Sequence, residues 1–521
     1  MRYLSVGMKS CSGGRPVCRG GRHHAARKER WDISALVVNV SNGHAACVRN
    51  SAGRDATALR QAGRLPLRLC AVTLILSLVM GAGTGFAADK ATWKFGTARA
   101  KITPKELFWM GGFTARTKPA EGTLDDLWVK ALVLEAPDGG KVVLVSLDLV
   151  GVPKWLYENL CRELWWGHGL RRSQLRFASS HTHSGPVLTA ALQDIYPLDD
   201  EQRKRIAEYS HWLEQTILET VTKALASQSP ATLWAGEGKA TFALNRRTNI
   251  ESKLNEMLRD GIAPKGPSDF TVPVLMVRSA DDKVSAVVFG YAAHTSCLTQ
   301  NQLWSADYCG VTMGAMEAKY PGLQAMFWQG CGSDQSAAPR GTVELCRQRG
   351  NDLAVAVEAV LDKPMRPLTP RLRSAFEFIS LDFGEQPTKA ELETAGQGKD
   401  YRARWARRFT AELAAGNALA KGYPEYPVQV WKLGEDQLWI ALGGEVCVDY
   451  ALRFKKDFGP TTWVTGYAND VMAYIPSRRL WEEGGYQAGA FDVYGLPANR
   501  WCPDIEDRIA SAVTRWVGKV R

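Results

Sequence analysis

Three histidines and one glutamate stand where an apolar stretch gives way to small polar residues. The first place is Phe177-Ala-Ser-Ser-His181-Thr-His183-Ser-Gly-Pro186, the second Val287-Val-Phe-Gly-Tyr-Ala-Ala-His294, and the third Leu438-Trp-Ile-Ala-Leu-Gly-Gly-Glu445. On an extended strand, residues i and i+2 face the same side, so His181 and His183 are expected to point into one cavity. Neutral imidazole is the commonest nitrogen ligand of zinc, and two histidines with one carboxylate leave the open position that a catalytic zinc keeps for water. Each signal also has a plainer reading. The HxH pair fits hydrogen-bonded surface histidines, and Glu445 fits an acid at the start of the helix suggested by residues 447–458. Gly443 and Gly444 point to a sharp bend or a close backbone approach beside that acid. His168 and His211 lie in Trp-rich helical stretches and read as packing or surface residues.

The elements that must position these side chains alternate in kind. Residues 129–135 and 142–150 read as a hairpin across the Asp138-Gly139-Gly140 turn, the second arm being a buried strand. Further strands are expected at 174–181, 272–277, 284–293, 324–328, 428–432, 438–442 and 463–465. Helices fit 155–166, 200–226, 311–319, 343–361, 389–415 and 505–517. Hairpins mixed with strand–helix–strand crossovers predict an α/β fold with mixed, partly parallel sheets packed with helices. Ligands in such folds collect beyond the carboxyl ends of the strands, so the metal site is expected there. Residues 263–268 and 364–370 read as loops, the second as a divider between two lobes. The 18 tryptophans read chiefly as buried aromatic core.

The 521 residues, 45% of them hydrophobic, suffice for one large domain or two. The formal charge of +11 is localised at the front. Thirteen of the 65 Lys and Arg, but only three of the 54 Asp and Glu, fall in residues 1–70. The remainder is close to neutral and carries no nucleic-acid signature. From Arg64 the chain reads RLPLRL, then an apolar run to Met80, then GAGTGFAADK. These are the three parts of an export signal, placed at residues 63–88. Residues 1–62 read as a disordered or mis-started extension, and 89–521 as the catalytic domain. Export to the periplasm or the medium is expected, with an uncleaved membrane anchor as the alternative. The cysteines beyond the signal lack CxxC pairing, which argues against a thiolate zinc site and a disulfide framework. No GxSxG elbow, HExxH helix, Walker loop or strand-linked GxGxxG occurs.

With these residues in view, the chain resembles the neutral/alkaline, non-lysosomal ceramidase family from about Phe95 to Ala512. Gly96-Thr-Ala-Arg-Ala-Lys-Ile-Thr-Pro104 and Met110-Gly-Gly112 resemble the family's first strand and glycine turn, and Asp148 closes the next strand as the family's does. His181-Thr-His183-Ser-Gly-Pro186 matches its HTHxGP signature, the most specific item. Leu244-Asn-Arg246, His294, Gly332-Ser-Asp334-Gln-Ser336, Gly444-Glu445, and Gly466-Tyr-Ala-Asn469 with Tyr474 follow in family order. The resemblance implies zinc held by His181, His294, Glu445 and Tyr474, with His183 and Arg246 facing substrate and stabilising an oxyanion. It also places Ser336 at the family's nucleophile, with Asp334 beside it. Attack by a metal-activated water, with Ser336 as a hydrogen-bonding partner, is preferred because no histidine adjoins Ser336 in sequence. Attack by Ser336, with Asp334 or the zinc-bound base taking its proton, is the alternative.

The implied activity is zinc-dependent, ceramidase-like hydrolysis of an amide bond in a small-molecule or lipid-like N-acyl substrate. A catalytically silent ligand-binding module, and a metal-dependent hydrolase of esters or other polar amides, are the alternatives. The chain departs from the family in four places. Gly443 stands for a proline, Thr295-Ser-Cys297 follows His294 where the family begins with proline, and SDQSAA at 333–338 replaces GDVSPN. The family's C-terminal immunoglobulin-like domain is expected to be absent. These departures bear on the substrate more than on the metal site. Oligomeric state and peripheral contact with a membrane are left open.

Overall fold

The structure, a computed structural model, describes residues 92–299 and 301–521. The expected export signal and the extension before it lie outside the described residues. The hairpin strands Trp128–Glu135 (WVKALVLE) and Lys141–Leu147 (KVVLVSL) are buried on both faces, so each needs a packed layer on either side. Val129, Ala131, Val133, Val143 and Val145 meet the helices Lys154–His168 and Asp200–Ala226. Leu132, Leu134, Val142 and Leu144 meet a second sheet.

The first sheet runs in the order Gln324–Gln329, Val284–Tyr291, Thr271–Ser279, Ser229–Lys239, Trp93–Lys101, Trp128–Glu135, Lys141–Leu147, Leu175–Ser179. Its two outermost pairings are parallel and those between are antiparallel. The second sheet orders Leu372–Asp382, Gly422–Leu433, Gln437–Leu442 and Trp463–Thr465, the last pair parallel. Helices Asp307–Lys319 and Val343–Leu361 cover more of the first sheet, while Val448–Phe458 and Ile505–Val520 back the second. The expected mixed α/β fold is observed, as two sheets between helical layers.

Tryptophan fills the space between the sheets: Trp93, Trp328, Trp431, Trp439 and Trp463 belong to that core. Arg176 is fully buried among them, 3.8 Å from the Trp431 ring centroid and 4.7 Å from that of Trp439. Its Nε donates to Gln429 Oε1 (2.9 Å) and its Nη2 to the Trp439 carbonyl (3.1 Å). Indole faces supply the electrostatic partner that no carboxylate provides.

Two expectations change. The segment 389–415 is not one helix but two, Lys389–Ala395 and Tyr401–Ala414. Gly396 and Gly398 break it, and Asp400 caps the second piece by accepting from Ala403 N. Nor does 364–370 divide lobes. Arg366–Leu368 pairs with Ser229–Lys239 on the first sheet and leads directly into Leu372–Asp382 of the second. Among the described residues, no helix is long and apolar enough to cross a membrane.

Candidate metal centre

Strand Leu175–Ser179 stops at Ser179, and His181 takes φ +61°. That left-handed conformation costs a non-glycine residue roughly 1–2 kcal/mol and signals a functional constraint. His181 and His183 therefore meet through a turn, not through strand alternation. Backbone and hydroxyl contacts hold the turn: Ser180 N to Leu147 O (2.8 Å), Thr182 Oγ1 to Ser305 O (2.6 Å), and His183 N to Thr295 O (3.1 Å). The Gly466-Tyr-Ala-Asn469 block docks on the same strand, with Ser179 Oγ donating to Tyr467 O (2.9 Å) and Phe177 N to Asn469 Oδ1 (3.0 Å). Gly112, at φ +105°, lies under the His183 ring. A Cβ there would come within 2.5 Å of it, so the glycine turn is a seat for that imidazole.

The three rings converge on their Nε2 atoms. His181 and His294 are 3.1 Å apart there, His181 and His183 3.1 Å, and His183 and His294 3.0 Å. His181 Nδ1 donates to Val150 O at 2.6 Å, which leaves a bare lone pair on Nε2. Burial first, then neighbouring positive charge including Arg246, holds His183 and His294 well below the ordinary imidazole value. Three ring nitrogens thus crowd at one point, where lone pairs repel unless a cation lies between them. Tetrahedral bonds of ~2.0–2.1 Å would set such nitrogens ~3.3 Å apart, close to the spacing seen. The donor set fits a metal ion.

Glu445 completes the rim, its Oε2 3.3 Å from His181 Nε2. It follows Gly444, at φ +72°, where a Cβ would meet Ile475 Cγ1 at 2.5 Å. That close approach lets Glu445–Val446 pair in parallel with Tyr474–Ile475, Glu445 facing Tyr474. Tyr474 lines the same cleft, its ring centroid 5.4 Å from that of Tyr486. Burial and the neighbouring Glu445 hold its phenol well above its ordinary value. Two tyrosines without an assignment in the sequence also grip the carboxylate. Tyr467 OH donates to Glu445 Oε2 (3.4 Å) and Tyr494 OH donates to Oε1.

Of the remaining expected residues, Arg246 and Ser336 adjoin His294 and Asp334 turns away from the centre. Arg246 donates to Ser333 O through Nε (2.9 Å) and Nη2 (2.5 Å), and its Nη2 lies 3.4 Å from His294 Nδ1. Ser336 is fully buried, bridged in parallel to His294, and its Oγ donates to Glu251 Oε1 at 3.0 Å. Asp334 sends its carboxylate elsewhere, accepting Val448 N (2.8 Å) at a helix start and pairing with Arg479 (3.4 Å). Burial pushes its pKa up to about 6. Asn245 closes a local turn by accepting Arg247 N and Thr248 N, while Arg247 reaches Gly484 O and Gln487, so both serve the loop.

Glu251 and Arg340 were invisible in the sequence because no motif surrounds either. Tyr494 likewise sits in an unremarked stretch, whereas Tyr467 lies inside the block that carries Tyr474. A second group near enough to share an ion, Cys297, Asp307 and Cys346, is also buried. There Asp307 already accepts the backbone N–H of Cys297, Leu298 and Tyr308, so its carboxylate clamps the loop.

The fold is an α/β sandwich with a buried three-histidine group at its strand ends, spaced closely enough to share a metal ion. Comparison with solved structures sharpens this. A neutral ceramidase from Pseudomonas aeruginosa superposes with a TM-score of 0.61 at 18% identity, over 82% of this chain and 74% of that one. A ceramidase complexed with C2 gives 0.59 at 18% identity, over 82% and 76%. The fold is neutral-ceramidase-like. Neither protein-family models nor curated proteins match the sequence.

Proposed function

We propose that this protein is a zinc-dependent hydrolase cleaving the amide bond of an N-acyl substrate, with residues 89–521 as its exported catalytic domain. The observation that carries the reading is the meeting of three Nε2 atoms at 3.0–3.1 Å beside the Glu445 carboxylate. The neutral-ceramidase-like fold supports amide chemistry over other hydrolyses. As the ceramidase resemblance implies, His181, His294, Glu445 and Tyr474 would hold the ion, with the His183 Nε2 brought to the same point. His183 is the most open of the three imidazoles, at 7% exposure against 1% for the others, and stacks edge-on against Phe113 in the cleft wall. It therefore stands nearest an incoming carbonyl. A bound divalent ion supplies Lewis acidity at this point, polarising the carbonyl and acidifying water.

The chain's own groups do the rest. Arg246, clamped by Ser333 and Glu251, presents a fixed positive charge to an oxyanion. Phe113, Val150, Leu192 and Val493 wall the cleft of about 170 Å³ with apolar surface suited to an acyl group. Ser336 stands behind Glu251, and its hydroxyl proton is committed to that carboxylate. Two arginines hold Glu251 below the usual carboxylate range against the opposing effect of burial. This supports Ser336 as a positioning partner and water as the attacking group.

Metal analysis of the purified protein is expected to find one zinc per chain, and Glu445→Ala to keep its fold while losing metal and turnover. Full amide turnover by metal-free protein would overturn the reading. Comparing an acyl amide with its ester analogue separates amide from ester hydrolysis. N-terminal sequencing of the mature protein tests the export signal.

A further inference from the structure

The cleft carries more positive charge than a neutral substrate needs. Arg246 and Arg340 both line it, faced by Glu251 and Glu445. Glu445 is taken by the metal centre and by Tyr467 and Tyr494. Glu251 alone answers both guanidiniums, and through one oxygen: its Oε1 meets Arg340 Nη2 at 2.8 Å, Arg246 Nη1 at 3.3 Å and Ser336 Oγ at 3.0 Å. One positive charge is left over beside a site whose donors fit a cation.

Arg340 is also fixed in place. Its backbone N–H donates to Asn255 Oδ1 (3.0 Å) and its carbonyl accepts from Asn255 Nδ2 (2.7 Å). Its Nη1 is held by Ser296 O (3.1 Å) and Ser296 Oγ (3.0 Å). Three of the five guanidinium N–H groups are thereby occupied, and the rest remain for a ligand. The side chain is 17% exposed and lines the cleft. A third guanidinium, Arg116, is buried behind the His183 backbone, donating to its carbonyl at 2.6 Å, with only amide and carbonyl oxygens as partners. Arg340 directly follows the SDQSAA-Pro loop that carries Ser336.

We propose that Arg340, acting with Arg246, makes the cleft select N-acyl ligands whose amine portion bears a carboxylate, as in an N-acylated amino acid, over neutral N-acyl amino alcohols. The proposal rests on the amide-hydrolase reading for its reaction. There the C–N bond breaks, water supplies hydroxyl to the acyl carbon and a proton to the nitrogen, and a fatty acid and a free amino acid leave. Planar, bidentate recognition of carboxylate is what guanidinium does best, and it is strong where water is scarce.

The test compares N-dodecanoylglycine with N-dodecanoylethanolamine, which differ only in carboxylate against hydroxymethyl, on the zinc-loaded protein. Their non-hydrolysable sulfonamide counterparts are titrated calorimetrically in parallel. The glycine member should be favoured ~10- to 100-fold in kcat/KM, chiefly through KM, and similarly in binding. Arg340→Ala should collapse both preferences, and Arg340→Lys, which keeps the charge and not the fork, should restore part of them. Should the alanine variant fail to fold, a partial loss of preference in the lysine variant is the supporting result. Equal binding of the two sulfonamides, or a preference unchanged in either variant, would overturn the inference. If the binding preference holds while neither amide turns over, anion selection stands and the hydrolase reading falls.

Discussion

The two walls of the cleft are built by different means. The histidine wall is assembled by backbone: a strand that ends, a left-handed residue at position 181, glycines at 112 and 444, and a two-residue ladder that sets Glu445 beside Tyr474. Its imidazoles crowd their Nε2 atoms beside the Glu445 carboxylate and need an ion to become stable neighbours. The arginine wall is tied together by side chains, with Glu251 collecting Arg246 from its own segment and Ser336 and Arg340 from one distant loop. Its two guanidiniums share the single Glu251 carboxylate. The first wall is thus suited to bind and activate. The second is suited to orient.

The largest loss should come from the histidine wall. His181→Ala should lower turnover by ~10³-fold or more, several kcal/mol of transition-state stabilisation, together with zinc content. A variant that kept metal and rate would break the comparison. Gly112→Val should come next, since its side chain would be forced into the His183 ring, where a Cβ already approaches within 2.5 Å. A drop of about 100-fold in kcat with zinc retained is expected, because a small misplacement near the chemistry costs that much. On the arginine wall, Ser336→Ala sharpens the choice of mechanism. As a hydrogen-bonding partner Ser336 should be worth ~10- to 100-fold. A loss approaching ~10⁶-fold with metal intact would make it the nucleophile.

The same division explains what could be read from the sequence. Residues held by backbone leave a mark along the chain, since a strand must end before His181 and His294 and a glycine must precede Glu445. The main strands and helices were legible for the same reason: runs such as VVLVSL, buried on both faces, have few alternatives. Ser229–Lys239 and Leu372–Asp382 were not, because their buried and exposed positions alternate with polar and small residues (SPATLWAGEGK), a weak strand pattern. Glu251 and Arg340 had no local signature at all. Their role comes from tertiary proximity, as does the helix break after Ala395, where glycine outweighs a good helical composition on either side. The turn at His181 was missed because an HxH pair looks the same on a strand and in a loop.

The smallest effect expected lies behind the histidine wall, at the end of its neighbouring strand. Asp148 is fully buried, accepts Trp128 N–H at 2.9 Å, and burial pushes its pKa up to about 7. A carboxyl raised this far above its ordinary value of ~3.9 binds a proton more tightly in the folded chain than in the unfolded one. Its contribution is therefore complete below about pH 4 and is lost as the pH climbs through about 7. Asp125, Asp334 and Asp470 are raised by burial in the same direction, so stability should decline from mildly acid to neutral pH. Asp148→Asn keeps an oxygen for Trp128 and removes one ionisation. Melting temperatures at pH 4.5, 6 and 7.5, at equal ionic strength, should fall less steeply in this variant, by a few degrees, equivalent to roughly 1–2 kcal/mol. An unchanged slope would mean that Asp148 stays ionised in the folded protein, and that the wall beside His181 is wetter than its packing indicates.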